Sequence, residues 1–172
     1  MATECLASRN FGNLPPWLRT GLAWKMEWDL RDSIYSFPGR EEFIFAVEHT
    51  AWEADLRATF KSRLKKKRDL RPLEAAEFMG WESGVYEAES ARLCFGVASF
   101  LVEEQDGALG HFLQGLRSAH EEGSLLLFPE EQRWERRLPY TVPVDLQLEL
   151  LQEVAGTEVL RDIEAWFAKG LK

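Results

Sequence analysis

Cysteine is nearly missing from this chain: Cys5 and Cys94 are the only two among 172 residues. They lie far apart and form no C-x-x-C pair, which excludes a disulfide scaffold and a thiolate metal site. Cys94, inside an apolar stretch, reads as a small core residue. Positive charge is also in deficit, with 21 Lys and Arg against 29 Asp and Glu, a net charge of -8. That balance excludes a general nucleic-acid binder, whose affinity rests on neutralising phosphates. No apolar run reaches the length of a membrane span, and the first residues show no basic-then-apolar leader. As written, the sequence predicts a soluble, cytoplasmic protein without a membrane span. The G-x-S-x-G elbow, the phosphate-cradling G-x-x-x-x-G-K-S/T, the G-x-G-x-x-G turn and the D-x-D-x-D-G loop are all absent.

What remains is a globular composition, 45% hydrophobic and 29% charged, of a length that supports one domain. The apolar spacing is helical nearly throughout. Leu18, Leu22 and Met26 recur every four residues behind Pro15 and Pro16, which suit a helix start. Phe43, Val47, Ala51, Ala54 and Ala58 predict a second helix over 41–60, and a shorter one follows Pro72. Tyr86, Leu93, Val97, Phe100 and Leu101 form a broad stripe over 84–104, wide enough for the central helix of a bundle. Asp106 is placed to cap a helix that buries Leu109, Phe112, Leu113 and Leu116 and stops at Gly123. After an irregular stretch punctuated by Pro129, Pro139 and Pro143, two closing helices are predicted over 144–154 and 157–168, split by Gly156. No sustained two-residue alternation occurs, so little or no sheet is expected. The predicted fold class is all-α, a single-domain irregular helical bundle.

Three histidines are scattered along the chain. His49 and Glu53 stand one helical turn apart in the predicted second helix, a surface imidazole beside a carboxylate with no third ligand in view. His111 borders an apolar stripe, and His120 sits where a helix C-terminus favours a cation. The seven Trp are too dispersed to form a platform in sequence and read mainly as packing residues.

One segment reverses the acidic character. Lys61, Arg63, Lys65, Lys66, Lys67, Arg68 and Arg71 against Asp69 give +6, so the rest of the chain carries -14. The strip is either a solvated helix end favoured by the helix dipole or a docking surface for an anionic partner.

The run Leu14-Pro15-Pro16-Trp17-Leu18-Arg19-Thr20-Gly21-Leu22-Ala23 resembles the P-x-W-L-x-E-G-L-A stretch of gluzincin (peptidase MA-like) zinc metallopeptidases, in particular a family of unknown function. Later segments are similar in pattern: Tyr86 to Leu101, His111 to Leu116, and Leu160 to Trp166. The resemblance implies the C-terminal helical part of such a peptidase, in which the helix after H-E-x-x-H supplies the third zinc ligand. Here that ligand position is Thr20, a neutral hydroxyl and a far poorer metal partner than a carboxylate. No H-E-x-x-H string exists in the chain; laid over the N-terminus, it would put the first His before Met1, Met1 at the catalytic Glu and Glu4 at the second His. Glu4, Thr20 and Glu27 are thus the degenerate site positions, and Trp17 and Trp24 the candidate walls of a remnant groove. No cofactor is expected, since oxygens alone do not replace an imidazole pair for zinc.

Three functional expectations follow from these residues. The favoured one is a non-catalytic metallopeptidase-like domain that keeps a peptide- or protein-binding groove. The second is the C-terminal part of an active zinc peptidase whose motif begins upstream of Met1, with Glu4 and Glu27 as oxygen ligands. The third is an unrelated helical interaction module that uses the basic strip.

Overall fold

Pro15 opens the first helix, α1 (Pro16–Arg31), because its carbonyl accepts from the Leu18 and Arg19 N–H groups at 3.1 and 3.0 Å. Pro16 occupies a position where no intrahelical N–H bond is needed. Arg31 in the last turn suits the helix dipole, and Asp32, left-handed at φ 53°, returns its N–H to the Trp28 carbonyl and ends the helix. The computed structural model describes residues 14–36, 47–65, 72–80, 88–104, 107–121 and 143–170.

The described residues form seven helices and one two-stranded sheet. After α1 come β1 (Ile34–Ser36), β2 (Val47–His49), α2 (Trp52–Lys65), the single-turn α3 (Ala76–Met79), α4 (Ala88–Glu103), α5 (Ala108–Glu121), α6 (Val144–Ala155) and α7 (Val159–Lys169). The predominantly helical architecture agrees with the expectation. The helix predicted over 41–60 is corrected: 47–49 is a strand, paired antiparallel with β1 in the register Ile34 to His49, Tyr35 to Glu48 and Ser36 to Val47. The helix begins only at Trp52, where Glu53 and Asp55 favour an N-terminus, and it runs past Phe60 to Lys65. Residues 41–46, Asp106 and Gly123 lie outside the described residues.

Helix α4 is the axis of the bundle. Every residue from Leu93 to Leu101 is buried, so the helix is enclosed on all sides rather than on one face. Helices α1, α2, α3, α5 and α7 all pack on it. The tightest approach is at Gly21 of α1: a Cβ built there would clash with the Cys94 carbonyl group and stand 3.0 Å from the Ala98 Cβ. Gly156, with φ 94°, provides the backbone turn that separates α6 from α7.

Aromatic rings join these helices. Trp17 meets Phe78 edge-on at 5.3 Å and Phe112 at 6.2 Å, tying α1 to α3 and α5. Trp24 meets Trp52 edge-on at 5.1 Å, and Trp52 and Trp28 each lie 5.8 Å from Phe95, tying α1, α2 and α4. Phe60 and Phe167, 4.8 Å apart, lock α2 to α7.

Candidate functional site

The buried face of α1 runs through Trp17, Leu18, Gly21, Trp24 and Lys25, a stripe with helical spacing. The predicted stripe of Leu18, Leu22 and Met26 is therefore rotated: Met26 is 48% exposed, whereas Lys25 is only 7% exposed. Both expected groove residues belong to the core. Trp17 is fully buried and its Nε1–H donates to Gln147 Oε1 at 2.6 Å, while Trp24 is buried against Trp52. Thr20 is half-buried on the same helix. Glu27, also half-buried, accepts a long hydrogen bond from the Tyr35 N–H at 3.4 Å and so links α1 to β1. Seven residues, about 10 Å of helix, separate Thr20 from Glu27. Glu4 lies outside the described residues.

Lys25 organises a charge cluster where α1, α2 and α4 meet. Its Nζ donates to Asp29 one turn along and to Glu103 of α4 at 2.7 Å. Burial pulls the Lys25 pKa down, but the bonds and charges of Asp29 and Glu103 outweigh it, and the net direction is upward. This amine is a structural cation and not a nucleophile. Glu53, in the first turn of α2, has its pKa raised by burial and by Glu103, with Lys25 opposing. Three carboxylates around one ammonium leave the cluster negative. Among the described residues, no three His, Cys, Asp or Glu are grouped to hold a metal ion.

The expected His49–Glu53 pairing on one helical face is corrected, because His49 ends β2 and Glu53 belongs to the helix that follows. His49 lies against the Trp52 ring at 4.8 Å, where burial and the Arg92 charge lower its pKa. His111 is exposed. Cys94 is fully buried, and desolvation pushes its thiol pKa far above the ordinary value, which makes it inert in the folded state.

The basic strip divides. Lys61 and Lys65 are exposed and continue a row begun by exposed Arg57, at four-residue spacing along α2. Arg63 departs from that row: its side chain is 19% exposed, its guanidinium lies 4.9 Å over the Phe60 ring, and its Nη2 reaches Glu77 at 3.4 Å. Lys66, Lys67, Arg68 and Arg71 lie outside the described residues.

Sequence reasoning missed Lys25, Glu103 and Gln147. Lys25 had a local signal, since it falls on the stripe set by Trp17, Gly21 and Trp24 with Asp29 one turn on. Glu103 and Gln147 had none, because their partners are distant in sequence. No protein-family model, no curated protein and no solved structure matches this chain.

Proposed function

We propose that this is a non-catalytic domain on a metallopeptidase-like helical scaffold, which binds a peptide or protein partner in place of cleaving one. The observation that supports it is the division of labour on α1. Trp17, Leu18 and Gly21, packing residues of the resembling run, are all buried, as is Trp24 just beyond it, while the position that matches the metal ligand holds half-buried Thr20. A core needs only volume and pattern, whereas a zinc site needs particular ligands, so the scaffold outlasts the chemistry. With Trp17 and Trp24 in the core, the partner surface is assigned outside the signature. The exposed row of Arg57, Lys61 and Lys65 favours a partner with acidic character.

The test is metal content of the full chain purified without chelator, followed by thermal melts with and without added zinc, and a peptide-hydrolysis assay. A native-state ligand raises apparent stability. The expected result is no bound zinc, no melting shift and no cleavage. Stoichiometric zinc with a raised melting temperature would overturn the reading and restore a hydrolase.

A further inference from the structure

Two helices carry opposite charge in the same pattern. On α2, Arg57, Lys61 and Lys65 are exposed at four-residue intervals; on α6, Asp145, Glu149 and Glu153 are exposed at the same intervals. Residues four apart share a helix face, so each row is a ridge of one sign, about 12 Å long. The α2 ridge holds no carboxylate: Glu53 and Asp55 stand half-buried in the first turn, and the exposed neighbours of the cations are Ala58, Ser62 and Leu64. Helix α6 contains no Lys or Arg at all.

Neither row is neutralised within the chain. Among the described residues none of these six side chains makes an ion pair, although Lys25, Arg63, Arg92 and Arg161 all do. Helix α2 packs on α4 and α7, whereas α6 packs on α3, α5 and α7. Like charges four apart on a helix repel, so each row costs stability on its own. A surface of opposite sign and equal spacing turns that repulsion into attraction, and this chain carries both surfaces. Lys65 stands in the last turn of α2 and Asp145 in the first turn of α6. Set antiparallel, the two helices place Arg57 opposite Glu153, Lys61 opposite Glu149 and Lys65 opposite Asp145, with their dipoles also opposed. Arg57 is the most constrained of the six, because its side chain lies over Gly170, where a Cβ would meet its Cδ and Nε at 3.2 Å. Lys61 and Glu149 are the central pair. Leu64, 51% exposed beside Lys61 and Lys65, adds apolar surface to be covered.

We propose that the chain associates with a second copy of itself, the cationic row of α2 in one molecule seating on the acidic row of α6 in the other. This rests on the reading of the α2 row as a partner surface and names the partner. The contact joins different patches of the two molecules, so it closes around a two-fold axis with both rows engaged or propagates head to tail. Exposed ion pairs on one helix crossing bind weakly, and the complex is transient and salt-sensitive. The net charge of -8 opposes approach, but at about 0.1 M salt it is largely screened beyond about 10 Å, and the charges in contact decide.

Sedimentation equilibrium of the full chain, with protein on the order of 1 mM at the upper end, reads the mean mass at about 0.1 M and about 0.5 M salt. A mass above that of the monomer, falling on dilution and with added salt, is expected. Lys61→Glu and Glu149→Lys each set like charges against each other at mid-row and are expected to weaken association about fivefold or more. The double variant Lys61→Glu/Glu149→Lys exchanges the signs across the same contact and is expected to regain the wild-type affinity within about twofold. Arg31→Glu, exposed on α1 and in neither row, changes the net charge as Lys61→Glu does and is expected to leave association unchanged. A monomer throughout overturns the proposal. So does association that survives both single reversals, is not regained in the double variant, falls equally in Arg31→Glu, or grows with salt. If a single reversal unfolds the chain, Lys61→Gln and Glu149→Gln carry the test: each is expected to weaken association several-fold, and unchanged affinity overturns it. Neither row lies on α1, so a zinc-free chain that stays monomeric loses only the self-pairing, and a zinc-loaded chain that associates loses only the non-catalytic reading.

Discussion

Gly21→Ala sets two effects of opposite sign against each other. Replacing glycine by alanine inside a helix gains about 1 kcal/mol in intrinsic propensity. At position 21 the new methyl would stand 2.9 Å from the Cys94 carbonyl carbon and 3.0 Å from the Ala98 Cβ, and the first obstacle is backbone. Neither helix can yield by rotating a side chain, so α1 and α4 must separate. Overpacking of this kind costs typically 1–3 kcal/mol and occasionally more. Taking about 3 kcal/mol for a backbone clash, the net loss is about 2 kcal/mol, or a fall of about 4–8 °C in melting temperature for a chain of this size. Gly110, in α5 with nothing within 4 Å of a built Cβ, is the control, and Gly110→Ala is expected to raise the melting temperature by about 2–4 °C. Thermal unfolding followed by circular dichroism reads both. A Gly21→Ala chain as stable as the wild type would refute the close crossing of α1 and α4.

Trp17→Phe removes the indole donor to buried Gln147 and is expected to cost about 1–3 kcal/mol in urea unfolding. Lys25→Met is expected to cost about 1 kcal/mol at neutral pH and not more, since Asp29 and Glu103, 51% and 21% exposed, rehydrate when the amine is gone. The Lys25 pKa is raised above 10.5, so its contribution is present below that pH and is lost as pH climbs through the folded value; the difference between wild type and Lys25→Met should shrink there. Glu53 keeps its proton to a higher pH when folded than its ordinary 4.5, so the folded state binds more protons in that window and ionisation destabilises it. Glu53→Gln is expected to stabilise the chain at pH 7, with the gain vanishing below about pH 4.5. Cys94 should resist a thiol reagent in native buffer and react in denaturant; rapid native labelling in a Cys5→Ser background would contradict its burial.

The helices that were legible in the sequence are those whose local signals suffice. In α5, Phe112, Leu113 and Leu116 are buried as the stripe predicted, and Gly156 separates α6 from α7 as expected. The two-stranded sheet was not legible, because strands of three residues are too short to display alternation and their pairing joins Ile34 to His49, distant in sequence. The orientation of α1 was misjudged for a different reason. Periodicity treats lysine as polar, but Lys25 is buried by two carboxylates, one of them from α4, and that compensation is invisible until the helices meet. The same holds for Arg63, concealed in sequence among the cations of the basic strip and found beside Phe60 and Glu77 only once the chain is folded.

Packing accounts for the most distinctive residues of helix α1. Between Arg19 and Arg31 it carries three cations and two carboxylates besides Thr20, too polar to hold together as an isolated helix of this length. Its stability comes from tertiary contacts: Trp17 against Phe78 and Phe112, Trp24 against Trp52, and Gly21 against α4. Of these, Trp17 and Gly21 belong to the Pro-Pro-Trp-Leu and Gly-Leu-Ala run, and each has a packing role whatever occupies position 20. Such constraints fix the tryptophans and the glycine while leaving Thr20 free to vary. The core contacts of α1 therefore do not depend on the side chain at position 20, and the exposed row of Arg57, Lys61 and Lys65 on α2 stands apart from them.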